Sequence, residues 1–335
     1  MRQWLAVGVV IAAVMAGTAA SPDAQQTNRP TVAGRPGTAK PYVPPRTPWG
    51  DPDIQGGWTN VNENGIPLEK PNNLAEKSLD DIEDGELADL IRERNERAAA
   101  SAAGIGGRET GAGPTHWYEH YNAKNSRAWM VSDPSDGRIP PLTPDAQKRQ
   151  AAGRGRGAGV GDRADHWTDR SLYDRCITRG FPGSMSPAIY GNAYDITQAP
   201  GYVAIRYEMI HETRIIPLDN SPIPNLRPYM GFARGRWEGN TLVVESTSFH
   251  PATRYRNASE KLRLIERFTP VAPDKIEWSV TVVDPDTWTR PWTYGMQLTQ
   301  DPEQQLFEYA CHEGNYAMRN ILSAGRAADA EAAKR

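Results

Sequence analysis

The sequence predicts a mainly β protein, an antiparallel barrel or sandwich with an N-terminal helical and loop segment wrapped on it. Three observations carry this. After Asp165 the chain alternates apolar and polar residues at period 2, the pattern of half-buried strands. Pro, Gly, Asn and Asp separate those stretches. The links at 238–240 (EGN) and 273–275 (PDK) are short enough to join neighbouring antiparallel strands. Consecutive strands of this kind hide their edges most economically by closing into a barrel or pairing as two sheets.

Taken in order, residues 1–24 read as a secretory signal. Arg2 opens it, Leu5 to Ala16 form an apolar stretch, and small residues follow for cleavage. Residues 25–48, rich in Pro and Gly, read as a flexible linker. Residues 49–165 form the wrapping segment, whose helical part is 73–102: Leu74, Leu79, Ile82, Leu87, Leu90 and Ile91 recur at helical spacing, with Asp80 or Asp81 as a cap and a break at Gly85. The glycine-rich runs at 102–114 and 151–165 lack phosphate-loop spacing and stacking aromatics, and read as surface loops. Residues 166–322 form the β domain, with strands expected at 202–218, 240–249, 261–271, 275–284, 292–300 and 305–313. Residues 323–335 read as a disordered tail.

A net charge of −3 carries no polyanion footprint, so no nucleic-acid partner is expected. No stretch after the signal is long and apolar enough to span a membrane, which points to a periplasmic or secreted protein. Two cysteines, Cys176 and Cys311, are most simply one disulfide in an oxidising compartment. Closing a 135-residue separation contributes on the order of 5 kcal/mol on the chain-entropy model.

Six ordered motifs, DPDIQGGW (51–58), SDPSDGRIPPLT (132–143), GRWEGNTLVVE (235–245), ERFTPV (266–271), DPDTWTRPWT (284–293) and EYACHEGNY (308–316), resemble a functionally uncharacterised family of secreted bacterial β-rich proteins. The likeness covers most of the chain after residue 49 and implies a compartment, with no catalytic residue to carry over. Gly235-Arg236-Trp237 at a strand entrance is also similar to calycin barrels, which hold apolar ligands.

Chemistry is expected where ionisable groups interrupt apolar strand faces. Along 202–218 the odd positions, Val203 to Ile215, form a greasy face broken by Tyr207, His211 and Thr213; the even positions form a ladder of opposite charges expected to face solvent. Glu245, Glu266 and His312 interrupt further rows. Two or more of these in one pocket would be equipped for proton transfer, with His211 as base or acid, Glu245 or Glu266 as its partner, and Tyr207 or His312 as polariser. The plainer readings are a satisfied core histidine and surface ion pairs. Trp278 and Trp292 are candidates to line a ligand pocket, though ordinary core and rim packing is the plainer reading of each.

His116-Trp117-Tyr118-Glu119-His120 has zinc-ligand spacing, but the strand-rich downstream chain offers no helix for a third ligand. No metal is expected there. His116, Tyr118 and His120 are instead candidate lid residues over a pocket. No serine elbow, dinucleotide fingerprint or calcium loop is present, so no cofactor is expected. Two readings stay open: a cofactor-free acid/base enzyme (hydrolase, isomerase or lyase) acting on a small cyclic or aromatic molecule, and a non-catalytic protein that binds an apolar ligand or the envelope.

Overall fold

The computed structural model describes residues 42–105, 122–154, 164–219, 222–301 and 305–334. The expected signal, most of the expected linker, and His116, Tyr118 and His120 lie outside these residues. The chain divides into Met1–Thr31 and Val32–Arg335, and the second unit holds every described residue.

Ten strands form one antiparallel sheet: β1 (Gly56–Thr59), β2 (Val131–Asp133), β3 (Ala193–Ala199), β4 (Tyr202–Tyr207), β5 (Thr213–Pro217), β6 (Phe232–Glu238), β7 (Thr241–Thr247), β8 (Arg263–Ala272), β9 (Lys275–Val283) and β10 (Trp292–Thr299). The order is β5-β4-β3-β1-β10-β9-β8-β7-β6, with β2 also on β10. The mainly β expectation holds, and β1 and β2 show that the 49–165 segment supplies strands as well as a wrapping layer.

Pairing register explains the core. Leu242, Phe268, Trp278 and Met296 lie side by side across four strands; Val244, Glu266, Val280 and Tyr294 form the next row, and Ser246, Leu264, Val282 and Trp292 the third. All twelve are buried. Period-2 alternation sends one face of each strand inward, and each large apolar side chain so placed contributes about 1.5–3 kcal/mol. The sheet curls until its ends approach without sharing a ladder. A Cβ on Gly235 of β6 would stand 2.7 Å from Leu218 Cδ2 and 2.8 Å from Ile216 Cγ2, so only glycine lets the last strand come this close.

Three helices flank the sheet: α1 (Asp84–Ile105), α2 (Pro144–Arg154) and α3 (Ala317–Ala332). Helix α1 falls within the expected helical stretch and packs Leu87 and Ile91 on Leu74, Ile82, Ala128 and Trp129. The capping residue upstream of it is Ser78, in a box with Asp81. Arg94 reaches across to Asn125 Oδ1 at 2.8 Å, fastening the helix to the body. Helix α2 starts where Thr143 Oγ1 accepts from Ala146 N (3.2 Å), with Pro144 in the first helical position.

Three expectations need correction. Residues 202–218 are two strands, because Ile210 (φ 58°) and His211 (φ 44°) turn the chain through the left-handed region. Residues 305–313 take no strand conformation; they are tied down by the expected disulfide, Cys176–Cys311, with Cα atoms 5.7 Å apart. The tail read as disordered is mostly α3, an amphipathic helix favoured by its alanines.

Candidate functional site

Inside the curled sheet lies a buried charge pair. Arg214 of β5 donates to Glu266 of β8, Nη2 to Oε2 at 2.7 Å and Nη1 to Oε1 at 3.2 Å, with both side chains almost wholly buried. Arg214 also donates to the Tyr207 hydroxyl (3.1 Å) and Ser246 Oγ (3.0 Å), and Trp278 Nε1 donates to Glu266 Oε1 (3.1 Å). The Phe181 ring covers the guanidinium at 3.9 Å. Burial works against the Arg214 charge, but Glu266 and Tyr207 outweigh it and hold the guanidinium above its usual range. Burial also pushes the Tyr207 hydroxyl up to about 12, so it stays protonated.

Of the expected site residues, Tyr207, Glu266, Trp278 and Trp292 are all in this interior. His211 is not: the kink at 208–212 reverses side-chain parity, so His211 is exposed and the inward positions of β5 are Arg214 and Ile216. The charged even face therefore does not stay in solvent along its whole length. Glu245 keeps its predicted parity on β7, but the inward residues there are Leu242, Val244 and Ser246; Glu245 pairs outside with Arg263 at 2.8 Å. His312 is exposed beside the disulfide because its segment is not a strand. Arg214, the partner that fixes Glu266, was assigned to the solvated face. Its signal would have been the left-handed kink, which Ile-His does not announce.

The aromatic residues form a connected array. Trp288 meets Trp292 edge-on with ring centres 5.8 Å apart, Trp292 stacks on Tyr294 at 5.4 Å, and Tyr294 meets Trp278 edge-on at 5.8 Å. Trp288, itself buried, is among the residues that line a cleft of about 230 Å³, with Glu69, Ile139, Leu142, Arg149, Arg256 and Asn257 among the others.

Besides Glu69, the cleft is assembled from three stretches. Residues 139–150 strap onto the turn after β9 through Thr143 N to Thr287 O (3.0 Å), Thr143 Oγ1 to Asp286 O (2.8 Å) and Arg149 Nη2 to Asp286 O (3.0 Å). The buried Asp284 carboxylate accepts from Ser259 N (2.6 Å), Ser259 Oγ (2.7 Å) and Thr287 Oγ1 (2.7 Å), clamping the 255–259 loop to the same turn. Within that loop Arg256 (φ 50°) and Asn257 (φ 60°) both sit in the left-handed region. For arginine this is costly, of order 1–3 kcal/mol, and such strain persists only where surrounding contacts over-determine it. Among the described residues the Arg256 side chain has no carboxylate within 4 Å; its guanidinium lies 5.9 Å from the Tyr255 ring.

Comparison with family models, curated proteins and solved structures finds no match.

A second depression, about 340 Å³, lies on the outer side of β6 and β7 and is lined by Asp219, Ile223, Arg234, Arg236, Glu245 and Thr247. It is more open to solvent, and Glu245 and Arg236 there are taken up by Arg263 and Glu238. The rim cleft is the less open of the two, and its lining joins Trp288 to Arg256, which among the described residues has no carboxylate within 4 Å, while the Glu69 carboxylate there accepts from Ile139 N.

Proposed function

We propose that this is a small-molecule-binding protein whose site is the rim cleft, and that the ligand is a compact planar anion such as an aromatic carboxylate. The observation that carries the reading is Arg256, an exposed side chain that lines the cleft together with Trp288, on a left-handed backbone and with no carboxylate within 4 Å among the described residues. An indole edge and a guanidinium together suit a ring bearing a carboxylate. The volume, below the roughly 300–1,000 Å³ of drug-sized sites, favours a single ring.

Binding is favoured over acid/base turnover by where the ionisable groups sit. Glu266 is committed to Arg214, Glu245 to Arg263, and His211 and His312 point to solvent. A periplasmic or secreted location is part of the proposal, supported by the disulfide and by the charged and apolar pattern of residues 1–24. No helix of the described residues is long and apolar enough to cross a membrane.

A thermal-shift series with benzoate, benzyl alcohol and benzylamine tests the ligand class. Benzoate should raise the melting temperature in a saturable way, with little effect from the neutral and cationic analogues. Equal shifts for all three, or none, would remove the anion reading.

A further inference from the structure

Two opposite charges line the rim cleft without pairing. Glu69 is half-buried there and accepts from Ile139 N through Oε1 at 2.8 Å. Its other carboxylate oxygen has no hydrogen-bond partner among the described residues, and no cation stands within 4 Å of it among them. Arg256, lining the same cleft, likewise has no carboxylate within 4 Å among the described residues. Opposite charges around a space of about 230 Å³ would gain by closing on each other.

The backbone keeps them apart. Glu69 sits between two ties, Val131 N to Leu68 O (2.9 Å) and Lys70 N to Gly137 O (2.9 Å), and Ile139 N holds its carboxylate. Arg256 is carried by the left-handed loop that Asp284 clamps through Ser259. The third charged side chain of the lining, Arg149, is engaged through Nη2 with Asp286 O (3.0 Å) and Thr287 Oγ1 (3.1 Å), both uncharged acceptors. Two arginines and one glutamate leave the lining with one formal positive charge.

We infer that Glu69 is the specificity-determining residue of the cleft, and that its ligand is a single ring bearing a carboxylate on one side and a neutral hydrogen-bond donor, a hydroxyl or an amine on the ring, on the other. The inference rests on the cleft reading and narrows it. Arg256 takes the ligand carboxylate, Trp288 and Leu142 supply apolar surface for the ring, and the spare oxygen of Glu69 accepts from the donor. One net positive charge matches a monoanion with an uncharged donor; a dianion would set its second charge against Glu69. A carboxylate accepting from a phenol makes a charge-assisted bond. A ring without the donor leaves that acceptor unpaired, which is how such a site rejects the plain analogue.

The experiment is calorimetric titration of the full chain, wild type and Glu69→Gln, with benzoate, with 3- and 4-hydroxybenzoate, and with the matching methoxybenzoates. The better hydroxybenzoate should bind wild type roughly tenfold more tightly than benzoate, the scale of one hydrogen bond to a charged group, and its methoxy analogue should lose that advantage. Glu69→Gln keeps an acceptor for Ile139 N, so the strap stays tied, and it should bring hydroxybenzoate and benzoate to within about threefold of each other. Equal binding of benzoate and both hydroxybenzoates by wild type would overturn the inference and leave the cleft reading standing. So would a hydroxyl advantage that persists in folded Glu69→Gln, which would place the donor's partner elsewhere. No binding by any of these compounds, or binding that Arg256→Gln leaves intact, would overturn the cleft reading and the inference together.

Discussion

At the scale of single residues, two buried carboxylates behave in opposite ways. Glu266 is matched by Arg214, and removing one partner strands the other charge in a medium that cannot solvate it. Glu266→Gln or Arg214→Met alone should lower unfolding free energy by about 3–5 kcal/mol, and Arg214→Met with Glu266→Leu by much less. Denaturant melts of the three variants measure this. If the double variant is no better than the singles, the pair does not act as a unit. Glu63, in contrast, is buried with no ion-pair partner among the described residues. Its oxygens accept from Ser126 Oγ (2.8 Å) and Ser126 N (3.2 Å), while Arg127 is taken by Glu277 at 2.6 Å. Burial raises its carboxyl from 4.5 to about 7, against the smaller opposing effects of Ser126 and Arg127. Between those two values the folded chain holds a proton that the unfolded chain has released. Stability due to this group is therefore full below pH 4.5 and falls by about 1.4 kcal/mol per pH unit up to about 7, then levels off. Glu63→Gln should flatten that part of the pH profile of unfolding; an unchanged slope would show that another group sets it.

At the scale of elements, period-2 alternation located most of β7, β8, β9 and β10; β8 and β9 bury alternate residues, whereas Thr241–Val244 of β7 and Tyr294–Leu298 of β10 are buried on both faces. It misread 202–218 because alternation continues in the letters through a kink that reverses direction in space. One such break moves every later side chain to the opposite face, which put Arg214 inside and His211 outside. Strands β1 and β2 were missed because three or four residues are too few to show a period. Residues 305–313 alternate in sequence but find no neighbouring strand, and the disulfide holds them instead. His211 at φ 44° and exposed makes a direct test. His211→Gly should leave stability unchanged or raise it by up to about 1 kcal/mol, since glycine adopts this backbone without strain. A loss of ligand binding in that variant would return His211 to the functional site.

At the scale of the whole molecule, the inward face of the curled sheet is filled. Aromatic rings and the Arg214–Glu266 pair take the place that a ligand would hold in an open barrel, and the proposed binding cleft lies at the rim. Alternation placed Tyr207 and Glu266 on apolar rows, with an outside ion pair for Glu266 left open, and marked the tryptophans as pocket or packing residues. It did not show the cleft, whose lining runs from Glu69 to Trp288 in sequence and is joined by Asp284, Ser259 and Thr143. Nor did it show the strain at Arg256, which no local pattern encodes. The cleft reading makes Arg256 necessary and His211 irrelevant. The direct measurement is calorimetric titration of benzoate into the wild-type chain, Arg256→Gln and His211→Gly. Saturable binding should be weakened by roughly tenfold or more in Arg256→Gln, as expected when a charge-assisted hydrogen bond is lost, and be unchanged in His211→Gly. Equal affinity in wild type and Arg256→Gln, or a loss confined to His211→Gly, would contradict it.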